Sequence, residues 1–238
     1  MLKRFFLFLS LCSLWMLPVR GQSITEIKQM LGYSRGKTQF MAGLIAGANG
    51  QYMIFQPEVK QKIRFGYDAG IVLRADMGQL PWTSIEAGIW LEASYSDRGW
   101  TEQNDDYPNL KYSRTLRWIN IPFMTHLIID AFNSPVKLTL DAGPNFGWLL
   151  SESSESTYKE GGSYSVVTRQ HSMPVENKFA WGIGGGPGLE YQSKKWVLGL
   201  RATYVYALGE IYGNKRKDYF GKSSEQTYSL KLYYLFKF

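Results

Sequence analysis

The ionisable residues that could do chemistry in this chain are Asp68, Asp76, Glu86, Glu92, Asp141 and Glu190, set against Arg74, Lys137, Arg201, Lys231 and His126. Such a set has three uses. Two carboxylates flanking a glycosidic bond can share acid–base work; opposed charges in a narrow space can lock as salt bridges; charges around a wider space can line a selective pore. Glu86 and Glu92 are the best-spaced acid pair, but six residues of extended chain separate their backbones by about 20 Å, too far without partners from elsewhere. The two histidines, His126 and His171, lie far apart in sequence, which disfavours a metal site. His171 stands beside Ser172, yet no Ser–His–acid pattern of the kind used by outer-membrane proteases and deacylases is evident. Gly182 to Gly188 reads GIGGGPG. A phosphate-cradling glycine loop opens a helix, whereas this run sits in a strand pattern, where glycines serve a crowded interior or a bend. The residues therefore predict no catalytic, cofactor or metal site.

The elements that position these charges show a period of two. Tyr228, Leu230, Leu232, Tyr234, Phe236 and Phe238 alternate with Thr227, Ser229, Lys231, Tyr233, Leu235 and Lys237. The same alternation marks 40–49, 67–77, 85–96, 119–129, 136–148, 179–190 and 196–206, giving eight segments. At about 10 to 14 residues each, they suffice for tilted strands to cross a bilayer. Apolar residues hold one face; Gly and the charged residues hold the other. A soluble barrel keeps its greasy face inside, so here the greasy face is expected to meet lipid and the charged face the lumen. Connections alternate between long (50–66, 98–114, 152–177, 209–225) and short (78–81, 130–135, 192–195). Long outer loops and short periplasmic turns follow, with both ends of the barrel on the periplasmic side.

Lys3 and Arg4, an apolar run from Phe5 to Leu17, and small or polar residues at Gly21 to Ser23 have the order of a secretory signal peptide. The expected division is a signal peptide at 1–21, a short periplasmic lead at 22–37 and a barrel at 38–238. Cys12, the only cysteine, falls within the signal, so the mature chain has no disulfide or thiolate chemistry. The net charge of +7 loses three with Lys3, Arg4 and Arg20, leaving +4, too mild to argue for nucleic acid. Aromatics make up 16% of the chain, including 8 Trp and 16 Tyr, as two interfacial girdles would need. A mean hydropathy of -0.25 excludes a helical membrane protein and is compatible with a barrel whose strands are half polar.

Several stretches carry a family resemblance: YDAGIVLRADMG, IEAGIWLEASYSDRGW, RWINIPFMTHLII, LTLDAGPNFGWLL, GIGGGPGLEYQ, LGLRATYVYALGEI and YSLKLYYLFKF, in that order. Together they resemble the PorT-like outer-membrane barrels of the Bacteroidetes over about residues 39–238. Ile121–Pro122, Ala142 to Pro144 and the terminal Phe238 are the most specific points. The resemblance implies an eight-stranded barrel inserted by the barrel-assembly machinery, with Phe238 as the assembly signal. It fixes no function; the namesake of the family is tied to type IX secretion, and no residue pattern here repeats that tie.

The expectation is therefore an all-β protein, a single eight-stranded antiparallel transmembrane barrel in the outer membrane of a Gram-negative bacterium. Asp68, Arg74, Glu86, Glu92, Asp141, Arg201 and Lys231 should form a polar lumen network. In a barrel this narrow, side chains fill the interior, which favours a plug over a pore. Arg201 and Lys231, at one depth on neighbouring strands, call for acids from across the barrel, with Glu86, Glu92 and Asp141 the candidates. Lys215, Arg216 and Lys217 offer a contact for lipopolysaccharide phosphates, and the Ser-, Thr- and Glu-rich stretch 151–168 a mobile surface loop or an adaptable contact site. The expected function is a non-enzymatic anchor or assembly module, acting through its outer loops or periplasmic rim on an envelope or secretion complex. The alternative is a small-solute, porin-like channel; an outer-membrane enzyme acting on lipid or peptide ranks third.

Overall fold

The computed structural model describes residues 38–80, 83–103, 109–131, 134–159, 166–213 and 218–238. The expected signal peptide, the lead and the Lys215–Arg216–Lys217 cluster lie outside the described residues. Among the described residues there are eight long strands: β1 (Gln39–Gln56), β3 (Arg64–Gln79), β4 (Ile85–Gln103), β5 (Lys111–Ile129), β6 (Val136–Ser156), β7 (Phe179–Gln192), β8 (Trp196–Glu210) and β9 (Lys222–Lys237). A two-residue strand, β2 (Gln61–Lys62), adds to the outer end of β4. Each long strand pairs antiparallel with the next, and β9 returns to β1, so the eight form a closed ring.

Along each strand side chains point alternately outward and inward. Leu44, Ile71 and Leu232 are more than half exposed on the outside, while Met41, Val72, Arg74 and Tyr233 are buried inside. Aromatic side chains gather at two levels of the outer wall. The lower holds Tyr191, Trp196 and Tyr234, with ring centroids 5.4 and 5.9 Å apart. The upper holds Tyr67 with Tyr95 (6.0 Å), Trp148 with Phe179 (6.3 Å) and Tyr204 with Tyr228 (4.8 Å). From Trp196 to Tyr204 is about 26 Å along β8, which a strand tilt of about 40° converts to a band of roughly 20 Å, close to the height of a lipid-facing belt.

All eight expected segments are strands, but they run to 14–21 residues, and all except β7, which starts at Phe179, continue past the upper girdle. The expected loops at 50–66, 98–114 and 152–177 are shorter accordingly. Ser151 to Ser156, expected in a mobile loop, are the end of β6. Beyond the girdle the period of two persists while its polarity reverses. Trp100, Leu116 and Trp118 turn inward and are fully buried, whereas Thr101, Ser113 and Thr115 turn toward water. Two glycines permit local irregularities. Gly78 (φ 110°) sits at the bulge where the β3–β4 register shifts, and Gly99 (φ 136°) passes so close to β5 that a Cβ would lie 1.8 Å from the Arg114 carbonyl oxygen.

Candidate functional site

The lower interior is a ladder of charge. Arg201 and Lys231 are direct partners across β8 and β9, and their like charges share Glu92 from β4. Lys231 Nζ lies 2.7 Å from Glu92 Oε1 and 3.7 Å from Asp68 Oδ2. The Arg201 guanidinium lies over the Trp90 ring at 4.5 Å and reaches Glu92 Oε2 at 4.0 Å and Asp141 Oδ2 at 3.7 Å. Asp141 Oδ1 is 2.7 Å from His126 Nδ1, and His126 Nε2 is 3.8 Å from Glu190. Glu190 accepts hydrogen bonds from Arg74 (2.6 and 3.1 Å), Gln192 (2.6 Å) and the Tyr233 hydroxyl (2.8 Å). Arg74 also grips Asp76 through two bonds of 2.7 and 2.8 Å. Met41, Ile45, Val72, Met124, Val197 and Leu235 pack around these charges with Trp90 and Tyr233. In a barrel of this strand number such side chains fill the cross-section.

The upper interior combines an aromatic core with a smaller set of buried polar groups and is covered by the β6–β7 connection. Met53, Phe55, Trp100, Leu116, Trp118, Leu149, Tyr212 and Phe220 form its core, with Phe55 5.3 Å from Trp100 and Tyr212 stacked on Phe220 at 5.4 Å. A single 3-10 turn, Arg169–His171, folds inward and buries Gln170 completely. Gln170 Nε2 donates to Glu102 Oε1 (2.9 Å) and to the Val167 carbonyl (2.8 Å), while its own carbonyl accepts from Arg114 (2.9 Å). His171 Nε2 meets Glu102 Oε2 at 2.7 Å, and its ring stacks on Tyr112 at 3.8 Å. Glu152 binds Arg114 at 2.5 Å and accepts the Val175 N–H at 3.2 Å. Burial raises the Tyr212 and Tyr112 hydroxyls above the ordinary phenol value, so both remain protonated. For Arg114, burial opposes the charge, but Tyr212, Glu152 and Tyr112 outweigh it and the cation is held.

Of the expected network, Asp68, Arg74, Glu92, Asp141, Arg201 and Lys231 are buried together. Glu86 is not among them. It has the inward parity but lies near the start of β4, opposite Gln79 at the open short-turn rim, and is exposed. Lys137 is also at this rim, paired with Asp130 at 2.5 Å. The residues at the centre of the ladder, Glu190, His126 and Tyr233, had only their inward parity to mark them. Glu102, Gln170 and Arg114 were passed over because their stretches were read as loops. Ser172 donates its hydroxyl to the Arg169 carbonyl (3.2 Å), and His171 is engaged by Glu102, so the two do not form a nucleophile–base pair. Among the described residues no group of His, Cys, Asp or Glu has the arrangement of a metal site.

A closed eight-stranded barrel with an apolar belt, two aromatic girdles and a polar ladder inside defines an outer-membrane barrel. The chain belongs to the outer membrane protein beta-barrel domain family, whose model matches residues 23–213, and its place is the outer membrane. No curated protein matches the chain. Among solved structures it is similar to OprG of Pseudomonas aeruginosa (9% identity, 87% of this chain and 97% of that one, TM-score 0.45). It is also similar to Neisserial surface protein A (15%, 85% and 100%, TM-score 0.41) and to Ail, the attachment invasion locus protein of Yersinia pestis (14%, 83% and 98%, TM-score 0.40).

Proposed function

We propose that this barrel is a closed, non-enzymatic anchor whose water-exposed upper end is a binding or assembly surface for a partner in the cell envelope. One observation carries the reading: the interior is filled at two successive levels, by the Arg74–Glu190–His126–Asp141–Arg201–Glu92–Lys231 ladder and by the aromatic core beneath Gln170. A solute would have to displace both, and breaking buried ion pairs is strongly unfavourable. The surface left for function is the part of β4, β5 and β6 that extends into water, with Thr101, Ser113, Thr115, Ser153 and Glu155 outward. The reading includes a PorT-like origin in the Bacteroidetes and export by a signal peptide cleaved after Gly21. Insertion is by the barrel-assembly machinery through β9 and Phe238. Lipopolysaccharide is held by Lys215, Arg216 and Lys217, with no nucleic acid and no cofactor. The deciding measurement is conductance of the purified protein in planar bilayers. A closed anchor gives no steady current; stable unitary conductance would replace this reading with a small-solute channel.

A further inference from the structure

The outer wall carries a concavity that a smooth lipid-facing belt would lack. Two rows of outward-facing residues cross β3, β1, β9, β8 and β7. One reads Phe65, Gly50, Tyr228, Tyr204, Gly185; the row below reads Tyr67, Ala48, Leu230, Ala202, Pro187. Small residues stand between large ones, Gly50 between Phe65 and Tyr228 in the first row and Ala48 and Ala202 on either side of Leu230 in the second, and the result is an apolar groove of about 560 Å³. Its wall overhangs its floor: a Cβ placed on Gly50 would meet Ile63 at 3.2 Å and the Phe65 ring at 3.5 Å. The groove is open along its lipid-facing side, and its volume is within the range of ligand pockets. Just above it, two residues beyond Tyr204 on β8, the Tyr206 hydroxyl receives a hydrogen bond from Lys222 Nζ at 3.1 Å. The groove is thus apolar and bordered above by the Tyr204–Tyr228 pair, with the Lys222–Tyr206 pair beyond it toward the water-facing end of the strands.

We propose that this groove is a resident site for one membrane lipid with a net negative phosphate headgroup. An acyl chain lies along Ala48, Gly50 and Ala202 beneath the tyrosine pair, and the phosphate is met by the Lys222 ammonium and the Tyr206 hydroxyl. The chemistry matches at both ends. Acyl chains fill an apolar concavity that water cannot, and an ammonium at the interface attracts anionic headgroups. A second copy fits less well. Related by a two-fold axis along the membrane normal, both copies would bring Lys222 to the same depth beside the contact, with like charges opposed and two recesses facing each other.

The test is native mass spectrometry of the intact, delipidated barrel in detergent, with phosphatidylglycerol or phosphatidylcholine added back. The expected result is one phosphatidylglycerol per barrel, retained about fivefold better than phosphatidylcholine. Ala202→Phe and Ala48→Phe fill the groove from outside and should abolish the adduct, whereas Ala93→Phe, lipid-facing on β4 away from the groove, should keep it. Lys222→Glu should remove the headgroup preference and Lys222→Arg should retain it; neither touches the packed interior, so these two report even where a groove-filling variant folds poorly. Equal retention by the parent, Ala202→Phe and Lys222→Glu would overturn the site in favour of ordinary annular lipid. A concentration-dependent dimer that Ala202→Phe dissociates would overturn it in favour of a second copy.

Discussion

Below the upper girdle and above it, the same strands are built to opposite rules. Below, Leu44, Ile71 and Leu232 face out while Arg74, Glu92, Arg201 and Lys231 face in. Above, Thr101, Ser113 and Thr115 face out while Trp100, Leu116 and Trp118 face in, together with the paired Arg98, Glu102 and Arg114. The backbone and its ladder of hydrogen bonds continue unchanged through the boundary on β4 and β5. What changes is the solvent. Surrounded by hydrocarbon, the wall gains nothing by burying grease inside, and its inward charges must satisfy one another. Surrounded by water, the barrel is held as a soluble one is, by removing apolar surface from contact with water. Fold and polarity are therefore separable properties of one sheet, and the girdle is where they part.

The largest expected effect breaks the lower rule. Arg74→Met leaves Glu190 and Asp76 without their main cation and should cost about 3–5 kcal/mol, read by reversible urea unfolding in lipid vesicles. Next, a charge moved between the two outer surfaces should separate them. Leu200→Arg, at mid-membrane, should cost about 2–4 kcal/mol, while Ser153→Arg, on the wall above the girdle, should stay within about 0.5 kcal/mol; equal costs would refute the boundary. A smaller effect sharpens the upper rule. His171→Ala removes the bond to Glu102 and the stack on Tyr112, worth about 1–2 kcal/mol locally. Amide exchange should quicken about tenfold across 166–178 with the lower strands unchanged.

The smallest effect is a pH dependence at the upper end. Glu225 is buried three residues above Tyr228, with Arg98 3.7 Å away. Burial raises its pKa above the ordinary 4.5, more than Arg98 and Gln51 lower it. The fold favours the protonated acid, so this contribution is complete below about pH 4.5 and is lost as pH rises through the raised value. Trp100 and Trp118 fluorescence should therefore report slightly higher melting at pH 5 than at pH 8, and Glu225→Gln should flatten the difference.

The membrane part of this architecture was legible because one face of each strand meets one solvent. Alternation at Tyr228 to Phe238 or Ile85 to Ser96 gives the strand, its faces and the parity of every residue at once. Parity also placed Arg201 beside Lys231 and brought Glu92 and Asp141 to them. Depth was not legible: Glu86 has the same parity as Glu92 and ends at an open rim, because alternation says which face a side chain takes and not how far along the barrel it lies. The upper end escaped for another reason. Apolar residues mark the outward face below the girdle, and at Asp97 to Gln103 that face turns polar while Trp100 goes inward between the buried Arg98 and Glu102. Trp100, between Gly99 and Thr101, and the run Tyr112, Arg114, Leu116, Trp118 at every second position are the signal the sequence holds. The Glu102–Gln170 and Arg74–Glu190 contacts span 68 and 116 residues, and no local spacing announces them.

The pairing of β1 with β9, running from Met41↔Lys237 to Gln56↔Lys222, has a kinetic consequence. This seam joins the two most distant strands, so its closure carries the largest loop entropy and belongs to the late, slow events of assembly. Until it forms, two long rows of bare amides and carbonyls would face hydrocarbon, where each unsatisfied group costs several kcal/mol. A half-zipped sheet is thus inadmissible in the bilayer, and strands cannot be added one at a time there. Entry into the membrane and completion of the ring must be a single cooperative act, and once complete the ring has no loose edge in the bilayer from which to unravel.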